Sequence, residues 1–169
     1  FKRSDDSSLA TLQGSTIENY GTLTNSGTLS NLGEIINHTG GTLINNGTID
    51  SQDWGNIVNN GVISGTGQVT GNVSGSGTIA PGQSAGVFTI DGDLTHSGGG
   101  HEIELGGLFD GGGNNSLSEF DWLDVTGNVE LDGALDVYLI NSFQLLAGMS
   151  FEILNVGGTL TGEYDGLPD

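Results

Sequence analysis

Apolar residues in the first half of this chain recur on a six-residue beat. Ile17, Leu23, Leu29 and Ile35 are each six residues apart. The beat resumes after a two-residue insertion at Leu43 and Ile49, and after a second insertion at Ile57, Ile63 and Val69. One further beat lands on Ile79. Gly stands two residues ahead of many of these positions, at 21, 27, 33, 41, 47 and 61, and Asn two residues behind, at 19, 25, 31, 37, 45 and 59. The written unit is G-T-L-x-N-x. A short fixed period of this kind signals a stacked, quasi-one-dimensional fold in which each repeat buries its apolar residue only against its neighbours.

Within the unit, Thr-Leu-x makes a minimal strand with Leu inward and its neighbours outward, because strand side chains alternate. The Asn two residues on returns to the inward side at the corner. Asn and Gly both tolerate the left-handed backbone that a tight corner demands, and stacked Asn side chains can hydrogen-bond along the coil axis as ladders. Three hexads per coil give roughly 18 residues, with coils about 4.8 Å apart. Residues 15–80 then make about three to four coils. The insertions near Thr39-Gly40 and Ser51-Gln52-Asp53-Trp54 are expected to bulge at corners. The spacing leaves handedness open.

Composition supports this reading. The chain has 32 Gly, only 2 Pro and 34% hydrophobic residues. Such values alone would suit disorder, but disordered segments hold no beat. Frequent Gly, β-branched residues and the lack of helical spacing exclude helix. Asp and Glu total 21 against 2 Lys and Arg, a formal net charge of -19. Both cations, Lys2 and Arg3, stand at the N-terminus. Phosphate backbones and anionic membranes are repelled, so nucleic acid is excluded as a partner, and calcium is the natural counterion. Cysteine is absent, which removes disulfides, zinc-thiolate sites and cysteine nucleophiles. No signal peptide or transmembrane run is present. The chain opens on Phe1-Lys2-Arg3 without Met, which reads as a processed product or an excised segment.

Three regions are expected: an N-terminal extension over 1–14, the hexad array over 15–80, and a region over 81–169 that continues the solenoid or caps it. Ala80-Pro81-Gly82-Gln83-Ser84-Ala85-Gly86 marks the last joint. Beyond it, strands are expected over Val87 to Leu94, Glu102 to Leu105, Trp122 to Val125, Asn128 to Leu131, Ala134 to Ile140 and Ser150 to Val156. Phe143, Met149 and Phe151 offer bulk to close the end of a rod.

The G-T-L-x-N-x-G-T-L runs resemble the β-helical passenger regions of bacterial autotransporters and filamentous-haemagglutinin-like adhesins. The second half resembles the C-terminal passenger segments of the same group. The matching stretches are Gly77-Thr78-Ile79-Ala80-Pro81-Gly82-Gln83-Ser84-Ala85-Gly86, then Ile90-Asp91-Gly92-Asp93-Leu94, Asp121-Trp122-Leu123-Asp124-Val125-Thr126-Gly127, Leu131-Asp132-Gly133-Ala134-Leu135-Asp136-Val137 and Gly148-Met149-Ser150-Phe151-Glu152-Ile153-Leu154. The likeness runs from about Gly14 onward. It implies an all-β, right-handed parallel β-helix exported to the cell surface, a group that includes adhesins, proteases, toxins and inert stalks.

Chemistry must be argued from residues. Asp91/Asp93 and Asp121/Asp124 are spaced as paired catalytic acids sometimes are, but no basic partner follows Arg3. The loop from Asp110 to Asp121 packs oxygen donors among glycines. It reads first as a solvated acidic loop; as a calcium site its ligands would be Asp110, Asn114, Glu119 and Asp121. His38, His96 and His101 are scattered. Trp54 falls in an insertion, where it packs over the coil edge or stacks on a sugar. Thr22, Thr28, Thr42 and Thr48 do not maintain the flat Thr-x-Thr face of an ice-binding solenoid. The expected function is therefore that of a non-catalytic stalk or adhesin segment, extracellular or on the cell surface. Its expected partners are surface or matrix components and glycans, and it self-associates along the solenoid axis. The alternatives are a calcium-dependent polysaccharide-binding module and, third, a carbohydrate-active β-helix enzyme.

Overall fold

The computed structural model describes residues 10–12, 16–31, 33–51 and 55–166. Trp54, with most of the second expected corner bulge, lies outside the described residues, as does the side chain of Asn31. Among the described residues there is no helix. The strands fall into coils of three. Coil one holds β1 (Ala10–Leu12), β2 (Ile17–Asn19) and β3 (Thr22–Asn25); coil two β4 (Thr28–Asn31), β5 (Ile35–Asn37) and β6 (Thr42–Asn45). Coil three holds β7 (Thr48–Asp50), β8 (Asn56–Asn59) and β9 (Val62–Gly65); coil four β10 (Gln68–Thr70), β11 (Asn72–Gly75) and β12 (Thr78–Pro81). Coil five holds β13 (Val87–Asp91), β14 (Leu94–His96) and β15 (Gly100–Leu105); coil six β16 (Trp122–Val125), β17 (Val129–Leu131) and β18 (Ala134–Leu139). β19 (Leu154–Val156) and β20 (Leu160–Gly162) begin a seventh.

Every third strand pairs in parallel, giving a first and a second sheet of seven strands and a third of six. The result is a right-handed parallel β-helix. The beat residues are its core. Leu29 sits beside Ile49 and Ile49 beside Val69 in the first sheet, and Leu23 beside Leu43 and Ile63 in the third. Ile35, Leu43, Ile49, Ile57 and Val69 are wholly buried. Coil length varies, because stacked residues are 18 apart for Asn19 and Asn37, 20 for Asn25 and Asn45, and 22 for Asn37 and Asn59. The Thr39-Gly40 insertion forms a turn, with Gly40 at φ 84°.

The Asn positions form two internal ladders. Asn19 Nδ2 donates to Asn37 Oδ1 at 2.7 Å, and Asn37 Nδ2 to Asn59 Oδ1 at 2.8 Å. Asn25 Nδ2 donates to Asn45 Oδ1 at 2.8 Å. The same amides also reach backbone carbonyls of Thr42, Val62 and Thr48 at 2.9–3.0 Å. Burying these polar groups is tolerable because each is bonded. In the second sheet the column passes Gly75 and reaches His96, whose ring nitrogens lie 2.9 Å from the carbonyls of Gly77 and Asp132.

The expectation that array Asn and Gly serve left-handed corners holds for Gly40, Gly65, Gly71 and Gly75, whose φ is positive, and fails for the Asn rungs and for the glycines ahead of the beat residues. None of Asn19, Asn25, Asn37, Asn45 or Asn59 has positive φ, and neither do Gly41, Gly47 and Gly61. Crowding between coils is the cause for these glycines. A Cβ on Gly47 would collide with the Gly27 carbonyl, and one on Gly61 with the Gly41 carbonyl.

Downstream of Pro81 the strands join the same three sheets. Val87 to Leu94, expected as one strand, is two, because the chain turns a corner at Gly92, where a Cβ would meet the Gly71 carbonyl. Of Ser150 to Val156 only Leu154–Val156 is strand. Phe151 and Ile153 instead leave the coil core for a satellite cluster at its side, and Phe143 joins them there. These phenylalanines therefore do not close the rod: Val137 and Leu139 on β18 and Leu160 on β20 remain 47%, 50% and 50% exposed.

Two stability tests follow from this packing. Gly61→Ala is expected to cost about 1–3 kcal/mol by overpacking, whereas Gly21→Ala, which meets nothing within 4 Å, should stay within about 0.5 kcal/mol of wild type; thermal unfolding compares them. Asn37→Ala breaks the rungs to both Asn19 and Asn59, which keep their bonds to the Thr42 and Thr78 carbonyls, at about 0.5–1.5 kcal/mol per lost bond. It should lower the unfolding midpoint more than Asn25→Ala at the end of the other ladder.

Candidate functional site

Departures from the coil concentrate at one corner, where the third sheet hands over to the first. There β9 and β10 are joined by residues 66–67, β12 and β13 by 82–86, β15 and β16 by 106–121, and β18 and β19 by 140–153. The two longest excursions, 106–121 and 140–153, come last and leave from the same side of the rod.

Loop 106–121 folds back on itself. Gly106 N–H donates to the Glu119 carbonyl and Glu119 N–H to the Phe109 carbonyl, and Leu105 bridges Phe120 in antiparallel sense. Gly111, Gly112 and Gly113 turn the tip at φ 90°, 56° and 90°, where other L-residues are strained. Phe120 lies edge-to-face with Phe151 of loop 140–153 at 5.3 Å, and Phe143 with Phe151 at 6.1 Å. With Ile103 and Leu105 beneath, the two loops form one knob with its own small core. On its outside, Leu108, Phe109, Leu117, Leu145 and Leu146 are exposed at 49–66%.

The four residues read as calcium ligands each have a backbone partner. Asp110 Oδ1 accepts from Gly112 N–H at 2.9 Å and Asn114 Oδ1 from Ser116 N–H at 3.1 Å. Glu119 Oε2 accepts from the N–H groups of Leu108 and Phe109, both at 3.1 Å. Asp121 binds elsewhere: Oδ1 accepts from Gly86 N–H and Oδ2 from Glu104 N–H, each at 2.8 Å. Among the described residues no three His, Asp or Glu side chains gather as a metal-holding group.

Asp121 clamps loop 82–86 to β15 at the base of a cleft of about 360 Å³. Ser64, Glu102, Glu104 and Tyr138 of the third sheet line it together with Pro81, Gln83 and Ser84 of the adjoining turn. Glu102 and Glu104 share the outward face of β15, and Glu104 pairs with Tyr138 on β18. Asp121 is 2% exposed. Its burial pushes the carboxyl up to about 7, against the pull of the Glu104 and Gly86 N–H groups and with help from the Glu104 charge.

The other carboxylates singled out in the sequence stand apart from this cleft. Asp91 accepts from the Thr126 hydroxyl at 2.8 Å, Asp93 from Asn128 N–H at 2.7 Å and Asp124 from the Asn155 amide at 2.8 Å, each across one coil step. Asp121 and Asp124 are not a facing pair, because Asp121 is buried against loop 82–86 while Asp124 lies in the ladder of β16 and β19. His38 stacks on exposed Tyr20 with ring centroids 4.0 Å apart. His101 lies in the core, its Nδ1 hydrogen-bonded to the buried Tyr164 hydroxyl. Burial first, then the neighbouring His96, pulls His101 down to about 4, and burial raises Tyr164. Trp122 packs on the satellite cluster with its indole N–H unpartnered.

No protein-family model, curated protein or solved structure matches the chain. Function is therefore argued from this corner. Sequence reasoning missed Glu102, Glu104 and Tyr138 as cleft residues. The available signal was Glu-x-Glu on an alternating strand, but only the register of β12, β15 and β18 sets it beside the Pro81 turn.

The pH dependence of stability has two opposing windows. A buried carboxyl raised to about 7 contributes stability that is full below its unfolded value near 3.8 and is lost as pH rises through about 7. His101, lowered to about 4, contributes stability that is full above about 6.5 and is lost as pH falls through about 4. Relative to Asp121→Asn, wild type should therefore gain stability as pH falls from 8 to 4.5. Relative to His101→Leu, it should lose stability between 6.5 and 4. Chemical denaturation across this range reads both.

Proposed function

We propose that this chain is a non-catalytic rod segment of an extracellular, surface-attached bacterial protein of autotransporter-passenger or filamentous-haemagglutinin type, acting as a stalk that doubles as an adhesin. The observation that carries the reading is the knob. Two loops leave the same corner on successive coils, lock together through Phe120, Phe143 and Phe151, and turn Leu108, Phe109, Leu117, Leu145 and Leu146 outward. Apolar residues grouped on a protruding loop mark interaction sites more often than isolated ones do, and loops on a rigid scaffold are the usual carriers of binding. The stacked sheets supply the rigidity and the charge of -19 keeps rods apart. The partners are surface or matrix components. Self-association along the axis belongs to the same proposal, since strand edges at either end are templates for further pairing and salt would relieve the repulsion.

The test uses beads coated with the chain and surfaces coated with matrix protein. Phe109→Ser with Leu117→Ser, on a rod whose circular dichroism and unfolding midpoint are unchanged, should cut retention about tenfold. Retention that ignores these substitutions would sink the adhesin half of the proposal and leave the stalk.

A second reading, a polysaccharide-binding module, is favoured by the cleft over Asp121. In its calcium-dependent form Asp110, Asn114, Glu119 and Asp121 would hold the ion. A saturable rise in unfolding midpoint with calcium, beyond that given by magnesium at matched ionic strength, would support that form; identical responses would remove calcium from it.

A further inference from the structure

We infer that the cleft over Asp121 binds a short saccharide carrying a free ammonium group, an amino sugar rather than a neutral or acidic one. The inference rests on the glycan-binding reading and is independent of the adhesin knob.

Shape comes first. On the outer face of the third sheet, Ser64 pairs with Ala80, and Glu102 with Asp136. The pairing of Ile79 with His101 sets Ala80 beside Glu102. The small Ser64 and Ala80 are thus followed by the longer Glu102, which makes a step in the face. Pro81-Gly82-Gln83-Ser84 swings out beside that step, held by Gly82 at φ 84° and by its antiparallel bridge to Gly65. The cleft, open on its outer side, has a volume of about 360 Å³, at the small end of ligand pockets. It reaches from β9 to β18, three inter-strand steps of about 4.8 Å, hence about 14 Å along the rod. That length suits a pair of sugar rings and exceeds one lysine side chain.

Chemistry narrows the ligand. Glu102, Glu104 and Asp121 line the cleft, and no Lys or Arg occurs after Arg3. Anions are therefore repelled. No three acidic or His groups converge as a metal site among the described residues, so the charge suits a cation that spreads its contacts. Ser64, Gln83 and Ser84 add hydroxyl and amide groups to the lining, the usual partners of sugar hydroxyls. Tyr138 is 51% exposed at the rim and offers an aromatic face to a ring or to an ammonium. A pyranose bearing an ammonium answers all three features. A linear polyamine leaves those hydroxyl and amide groups unused, and an N-acetylated sugar leaves the carboxylates without a counter-charge.

Calorimetric titration of the intact chain tests this with three probes: a β-1,4-linked glucosamine disaccharide, its N,N′-diacetyl counterpart and spermidine. The glucosamine disaccharide should bind saturably, at least tenfold tighter than either of the others. Glu102→Gln with Glu104→Gln should weaken it at least tenfold and Tyr138→Ala severalfold, while Glu18→Gln, in coil one, should change nothing. Equal binding of the acetylated disaccharide would overturn the ammonium requirement and leave the glycan reading standing. Equal binding of spermidine would overturn the saccharide requirement. Failure of both disaccharides to bind, or binding indifferent to the cleft substitutions, would overturn the site itself. All three variants are on the outer face, and their folding is checked by unfolding midpoint.

Discussion

The coil-to-coil spacing governs this molecule. Parallel strands stack about 4.8 Å apart, and at each corner the backbone of one coil presses directly on the next. At Gly47, Gly61, Gly67 and Gly77 a Cβ would run into the carbonyl of the coil beneath, so glycine there is a requirement of closeness rather than of unusual dihedral angles. The same closeness makes the Asn ladders possible. An amide at a corner can reach the amide one coil away at 2.7–2.8 Å and a strand carbonyl besides. The Asn amides at the edge of the apolar core are thereby bonded, and each rung fixes the register of the next.

Stacking also explains how an acidic chain tolerates its charge. Side chains on the outer faces fall into columns, and like charges in adjacent rungs would repel. Several carboxylates instead meet hydroxyls or amides: Asp50 with Thr70, Asp91 with Thr126, Asp124 with Asn155 and Asp93 with Asn128. The charge is spread along the rod in partnered units. Where the pattern breaks, at Glu102 beside Asp136 and in Glu104 above Asp121, the cleft lies.

Both proposed binding surfaces lie where the coil is interrupted. Among the described residues one corner carries the two longest excursions, so the candidate surfaces accumulate on a single side. The apolar knob and the acidic cleft are neighbours there, joined by Asp121, which ends loop 106–121, clamps loop 82–86 and forms the floor of the cleft.

The sequence by itself determined the solenoid. The beat from Ile17 to Ile79 placed the core residues, and the Asn two positions on were readable as ladder rungs, because a period of that length admits few other packings. Strands such as Trp122–Val125 were equally plain from alternation. The left-handed backbone was the right reason for glycines such as Gly40 and Gly71 but not for Gly41, Gly47 and Gly61, since inter-coil crowding depends on a neighbour some twenty residues away and leaves no local mark. The candidate ligands Asp110, Asn114, Glu119 and Asp121 were readable as oxygen donors on a glycine-rich loop, whereas the backbone groups they bond were not. Phe143 and Phe151 read as end caps, and only packing against Phe120 directs them sideways. Glu102, Glu104 and Tyr138 come together through the register of β15 with β18 and the course of the Pro81 turn. Local sequence sets a strand's inward and outward faces, but which outward residues of different coils share a surface depends on loop lengths that only the folded stack adds up.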